Sequence, residues 1–491
     1  MAIHMKKIGA VLLLMVFSLT FGCENSEKNR DRYMREMETA VSRPVRKTEA
    51  ERQPAEETVT SAVESASTPT EDPAEVAERK HADLLLSAVN RMMPLFEREF
   101  SVPEFLLWLE ADRFPDVLSQ LSGAPDEESV RNLLWEKTGE SVYVLCDRFA
   151  GLLDNPEAAK AAGVFQMYSD DEEIVLAFGG DLNLVDDSYV MPVLRANGYD
   201  LFSVLTGGLL EKMRSADILL LNNEFTYTQR GSALPGKSYT FRANPENVAI
   251  LAEMGTDIAF LANNHIFDYG ADGLYDTLET LDGAGIPGIG AGMNLDEASR
   301  PVYWIVGGRK IAYVGAGCIE RYTVFTPGAT AESPGIFRTS EANADPLLSV
   351  IREAARRSDR VIVNLHWGLE STAELEAYQH ELGYLCIDAG ADAVVGSHSH
   401  VLQGTEFYRG KPIVYSTGNF WFSRTQVKTC LLELVIHGSG EMSVKLLPCT
   451  TGGGITSLVD GDLAGQVWDY YESISFGVSI DDEGMITDQS G

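Results

Sequence analysis

A chain of 491 residues exceeds what one hydrophobic core ordinarily supports, and it points to one large domain with appendages or to two domains. Lys and Arg number 39 against 73 Asp and Glu, a net charge of −34, and residues 81–491 hold 27 of those cations and 59 of those anions. No basic field exists to draw in nucleic acid or anionic lipid, so nucleic acid is excluded as a partner and any membrane contact falls to the N-terminus.

Lys6 and Lys7 precede an apolar run from Ile8 to Phe21, then Gly22 and Cys23, after which the chain turns polar. A cationic flank, a short apolar stretch and a small residue before the break describe a secretory signal over 1–23, and Gly22-Cys23 resembles a lipoprotein box. The expectation is an exported protein held to the outer face of a membrane by an N-terminal lipid or anchor. Residues 24–80 contain no Leu, Ile, Phe or Trp and read as a disordered tether. From 81 to 162 the apolar spacing becomes helical, with a capping-box-like Ser101-Val-Pro-Glu104 and a break at Gly139, and scaffolding is its reading.

From 173 to 424 short apolar runs alternate with helical stretches, the pattern of an α/β domain. The runs are 174–178, 218–221, 258–261, 361–365 and 393–395, with helical patterns at 270–284, 346–358 and 374–389. Polar groups follow every run: Gly180-Asp181-Leu-Asn183, Asn222-Asn-Glu224, Asn263-Asn264-His265 with Asp268, His366-Trp-Gly368, and Ser397-His398-Ser-His400. Open α/β sheets bind ligands beyond the carboxyl ends of their strands. Four of the chain's eight histidines fall in these loops. In an extended strand residues i and i+2 share a side, so His398 and His400 would aim both imidazoles at one point. Imidazole and oxygen donors without clustered cysteines favour Mn, Fe, Zn or Mg, and the donors are too many for one tetrahedral ion. Two divalent metals sharing a carboxylate suit a hydrolytic displacement.

The ordered set Gly180-Asp181, Asn223-Glu224, Ala262-Asn-Asn-His265 with Asp268 and Gly270, His366-Trp-Gly368, Gly396-Ser-His-Ser-His400 and Ser416-Thr-Gly-Asn-Phe420 resembles the bacterial capsule-synthesis CapA family. That family is associated with poly-γ-glutamate synthesis or export and is related to calcineurin-like metallophosphoesterases. The resemblance implies a four-layer αββα sandwich of the metallo-dependent phosphatase type. It also implies that Asp181, His400 and Asn183 hold one metal, that Asn264, His366 and His398 hold the other, and that Glu224 bridges them. His265 is then left for proton transfer, with Asp268 fixing its tautomer, while Asn419 and Arg242 would meet substrate. Two departures stand out: Asn183 occupies a position where metallophosphoesterases carry histidine, and Ser399 one where the family commonly carries proline.

Two function classes follow. One is a metal-dependent hydrolase of a cell-envelope polymer or small phosphorylated precursor in capsule or poly-γ-glutamate work, the class that the retained polar groups favour. The other is a non-catalytic, metal-stabilised accessory subunit of a capsule-synthesis membrane complex. Residues 425–491 read as a C-terminal hairpin and acidic tail. A two-residue turn at Ser439-Gly440 would set Cys430 opposite Cys449, and two packed thiols are favoured over a bridge.

Overall fold

The computed structural model describes residues 73–96, 101–110, 114, 116–169, 171–319, 324–340 and 342–490. The signal segment 1–23, the tether up to residue 72 and Arg321 lie outside the described residues. The chain divides into two compact units, 1–138 and 139–491.

In the first unit the helices are α1 (Pro73–Met92), α2 (Val102–Glu110), α3 (Val117–Gly123) and α4 (Glu127–Thr138). Their apolar residues recur at helical spacing and bury Leu85, Ala88, Met92, Phe105, Leu106, Leu121 and Leu134. The expectation of one helical region over 81–162 is corrected at both ends. α1 starts at Pro73, inside the stretch read as tether. Helices α5 (Val142–Phe149) and α6 (Pro156–Ala161) belong to the second unit. There the Ser141 amide donates to the Gly308 carbonyl at 2.8 Å, and Val144 and Ala159 enter a strand-layer core.

The second unit is built on two sheets. The first orders its strands β1 (Val164–Gln166), β6 (Val302–Val306), β7 (Arg309–Cys318), β8 (Arg360–Trp367), β9 (Ala393–Ser397), β11 (Lys411–Thr417) and β10 (Leu402–Tyr408). Strands β7, β8, β9 and β11 run parallel. The second sheet's main path is β14 (Val478–Ile480), β15 (Met485–Asp488), β13 (Met442–Gly452), β12 (Val427–Ile436), β2 (Ile174–Leu182), β3 (Ile218–Asn223), β4 (Ile258–Phe260) and β5 (Gly288–Ile289). Here β2 to β5 are parallel and β12 lies antiparallel against β2. Parallel strands covered on both faces need side chains that are apolar throughout, which is why they are legible as continuous Val/Ile/Leu runs.

One core contains Phe178, Leu220 and Phe260 from the second sheet with Tyr313, Ile362, Val395 and Val414 from the first. The two sheets therefore face each other. On its other face the first sheet packs Val361, Val363, Val394 and Ile413 against Leu347 and Ile351 of α10 (Asp345–Arg357) and Leu382 and Cys386 of α11 (Ala377–Ala389). Ile362 turns one way and its neighbours Val361 and Val363 the other, as the two-residue strand period requires. Outside the second sheet lie α7 (Leu209–Ser215), α8 (Val248–Met254), α9 (Gly270–Gly283) and α12 (Gly461–Ser473), with Met213, Leu251, Leu274 and Val467 buried. This is the four-layer α/β sandwich that the resemblance implies. Each such buried aliphatic side chain contributes roughly 1.5–3 kcal/mol.

The C-terminal segment is not a hairpin with an acidic tail. It supplies β12, β13, β14 and β15 to the second sheet and the helix α12, whose Ala464, Val467 and Tyr471 are buried despite its acidic outer face. The hairpin register also differs by one residue: Cys430 faces Pro448 and Thr429 faces Cys449. His437 and Glu441 close a three-residue loop in which Gly440 has φ 87°, so the turn is one residue longer than a Ser-Gly pair gives. Both cysteines are buried free thiols within the sheet, and burial raises both. Among the described residues, no helix is long and apolar enough to cross a membrane.

Candidate metal centre

The carboxyl ends of β2, β3, β4, β8 and β9 converge, and the polar groups that follow them form one buried cluster. Asp181 closes β2, fully buried, with its Oδ1 accepting from Asn222 Nδ2 at 2.7 Å. Its close seat depends on Gly180. A Cβ there would lie 1.8 Å from the Gly418 carbonyl oxygen, to which the Asp181 amide donates at 2.9 Å. Gly180→Ala therefore forces backbone apart beneath the site, with an expected loss of about 1–3 kcal/mol or more in urea unfolding and weakened metal retention.

Glu224, just past β3, is fully buried and neither carboxylate oxygen has a hydrogen-bond partner. His366 Nε2 lies 3.6 Å and His400 Nε2 3.9 Å from its Oε1. Burial and the nearby Asp181 push this carboxyl well above its usual range. An unsatisfied carboxylate in such a place is costly unless a cation joins it. Donor atoms of Glu224, His366 and His398 lie within 4.8 Å of one another, as do those of Asp181, Glu224 and His400, so Glu224 is common to both groups.

The imidazoles suit this neighbourhood. Burial, reinforced by neighbouring histidines, holds His366 well below the usual histidine range and His398 down to about 4. Both are thus neutral, as ligands must be. For His400 burial opposes the charge, but the Glu224 and Asp181 carboxylates outweigh it and raise the ring to about 10. His400 Nδ1 sits 3.0 Å from Asp181 Oδ2 and 2.9 Å from Asn419 Oδ1. His366 Nδ1 is 2.9 Å from Ser397 Oγ and its Nε2 is 2.9 Å from Asn264 Oδ1. Outer partners of this kind orient a ligating imidazole.

The path by which His398 and His400 converge differs from the extended strand that their spacing suggests. β9 ends at Ser397, and the two residues take φ of 100° and 59°, a left-handed turn that non-glycine residues enter only under constraint. Their ring centroids are 6.3 Å apart, and His398 lies 4.5 Å from His366.

Asn183 is placed otherwise. Its Oδ1 accepts from the Val185 amide at 3.0 Å, closing an Asx turn, which gives the side chain a local task in place of ligation. His265 Nδ1 donates to Asp268 Oδ2 at 2.7 Å, and burial holds the ring below its usual range in spite of that carboxylate. Phe241 stacks on it at 4.2 Å and leans on Phe422, which in turn lies 5.1 Å from His400, so an aromatic wall joins the two histidines. Arg242 is exposed, its guanidinium 4.4 Å above the Tyr269 ring. Sequence reasoning passed over four groups: Asn222, Asn263, Lys237 and the Phe241–Phe422 pair. Asn263 donates to Asn222 Oδ1 at 3.1 Å, so an amide chain runs to Asp181. The two asparagines stand in strand-end motifs, whereas Lys237 sits in a loop with no periodicity to mark it.

Residues 175–424 match the family of bacterial capsule synthesis protein PGA_cap, half of the chain and all of this cluster. The chain belongs to that family. It is 32% identical over 317 residues to the PGA biosynthesis protein CapA of Bacillus subtilis, covering 62% of this chain and 77% of that one. It is 36% identical over 254 residues to the Mycobacterium tuberculosis protein named "Probable polyglutamine synthesis accessory protein MT0602", covering 48% and 66%. The Capsule biosynthesis protein CapA of Bacillus anthracis is 34% identical over 238 residues, covering 46% and 56%. The PGA_cap match stops at residue 424, before β12, β13, β14 and β15 complete the second sheet.

Proposed function

We propose that this PGA_cap chain is an exported, N-terminally anchored protein of capsule or poly-γ-glutamate biosynthesis or export, and that it hydrolyses an envelope polymer or phosphorylated precursor with two divalent metals. The observation that carries the reading is Glu224, a buried carboxylate with both oxygens unpartnered, set between two groups of imidazole and carboxylate donors. Asp181, Glu224 and His400 would hold one ion, and Glu224, His366, His398 and Asn264 the other. Bound there, Mn, Fe, Zn or Mg would supply Lewis-acid polarisation and a hydrolytic nucleophile near neutral pH.

The remaining steps belong to side chains. His265 exchanges a proton through Nε2, because Nδ1 is committed to Asp268. Asn419 steadies His400, and its Nδ2 donates to Ser423 Oγ at 2.8 Å, which fixes the amide's sense. The Phe241–Phe422 wall limits water on one side of the centre. Arg242, next to Phe241, is the cation offered to an anionic polymer by a body that otherwise repels one.

A second reading, an accessory subunit that binds polymer or membrane-complex partners and uses its metals structurally, is favoured by the name of the mycobacterial relative. Purified protein loaded with Mn²⁺ and given a generic phosphodiester separates the two. The expected result is turnover that falls at least about 100-fold in Asp181→Ala. A metal-loaded wild type without turnover would discard the phosphoesterase reading in favour of the accessory one.

A further inference from the structure

We infer that Lys237 is the positioning residue of the His265–Asp268 pair: its ammonium ties the Asp268 carboxylate to the Asn264 carbonyl and so fixes the tautomer of the His265 ring. The importance of that tautomer rests on the proton-transfer reading of His265; the bonding itself does not.

Lys237 lies in the segment that links two short parallel strands, Thr226–Tyr227 and Arg242–Ala243. Its side chain is only 5% exposed, and lysine is almost never buried so deeply unless paired. Its Nζ donates to Asp268 Oδ1 and to the Asn264 carbonyl oxygen. The other carboxylate oxygen, Oδ2, accepts from the Phe241 amide at 2.6 Å and from His265 Nδ1 at 2.7 Å. An ammonium only donates and an ionised carboxylate only accepts. With Lys237 holding Asp268 as the anion, the hydrogen between Asp268 and His265 must sit on Nδ1, and Nε2 keeps its lone pair. Lys237 Nζ is 3.5 Å from the same Nδ1, too far to compete for it.

The same ammonium reaches the metal side. The Asn264 carbonyl also takes Thr326 Oγ1 at 2.8 Å, and the Asn264 side chain lies 2.9 Å from His366 Nε2. One cation therefore sets both a proton-transfer pair and the backbone that carries a metal-side amide. A second tie, the Leu234 amide donating to the Asp268 carbonyl at 2.9 Å, keeps the two loops together when the ammonium is removed.

The test is the ¹⁵N-imidazole spectrum of the full chain, tractable because it has only eight histidines. The His265 signals are assigned by their loss in His265→Gln. The wild type should show His265 as a single Nδ1–H tautomer with unprotonated Nε2. Lys237→Met should lose that single tautomer, retain its bound Mn²⁺, and lose phosphodiester turnover on the order of 100-fold in kcat. A folded Lys237→Met with the wild-type His265 signals overturns the inference, and Lys237→Gln is read in the same way should the methionine variant not fold. A wild type without turnover removes the hydrolase reading while the spectra still decide the part played by Lys237.

Discussion

Glu224→Gln is expected to abolish retention of both metal ions and, in chelator, to leave the protein at least as stable as the wild type. The two halves of this result have one cause. Glu224 is the donor shared by both groups, so its loss should exceed the roughly 10–100-fold affinity cost of losing an outer partner of a ligand. In the metal-free wild type the same carboxyl is buried with two unpartnered oxygens beside Asp181, an arrangement that costs about 1–3 kcal/mol. The amide cannot ionise, so part of that penalty vanishes. Elemental analysis reads the first half and thermal unfolding with EDTA or Mn²⁺ the second. Wild type should gain about 2.7 kcal/mol from metal at 100 times its dissociation constant, and the variant almost nothing. Equal metal content in the two proteins would dismantle the proposed centre.

His265→Ala should separate chemistry from binding. His265 stands outside both donor groups, its Nδ1 is spent on Asp268, and burial keeps the ring neutral. Bound metal is therefore expected to stay at the wild-type level while phosphodiester turnover falls by roughly 100- to 10,000-fold, the range for a lost proton-transfer group. Single-turnover kinetics and elemental analysis on one preparation check both quantities. Metal lost together with activity would move His265 into the ligand set.

The strand ends were legible because each of them couples a buried parallel strand, written as an unbroken apolar run, to an abrupt change into Asp, Asn, Glu or His. That abruptness identifies Asp181, Glu224, Asn264, His366, His398 and His400 without any knowledge of their distances. Asn183 shares the pattern and differs only in what it meets, the Val185 amide two residues on. Lys237 was illegible for the opposite reason. Its partners lie 27 and 31 residues away, and nothing in a Gly-Lys-Ser loop announces a buried ammonium. The turn at Gly440 hides a single extra residue, enough to move Cys430 from Cys449 to Pro448. The helix Gly461–Ser473 carries its apolar residues on one narrow face, so its acidic composition masks its packing.

Strand β2, which ends in Asp181, is flanked on one side by β3 and on the other by β12, whose residues 432–436 pair with 174–178. Some 250 residues of chain separate those partners, and contacts so distant in sequence are slow to form. The Asp181 strand remains an open edge until the last part of the polypeptide arrives. The centre is thus assembled at the close of folding, and divalent ions can be captured in full only by a chain already released at its full length. Loss of the final sixty residues would leave every proposed ligand in place yet strand the central sheet with an unpaired, apolar edge, the template on which chains stick to one another.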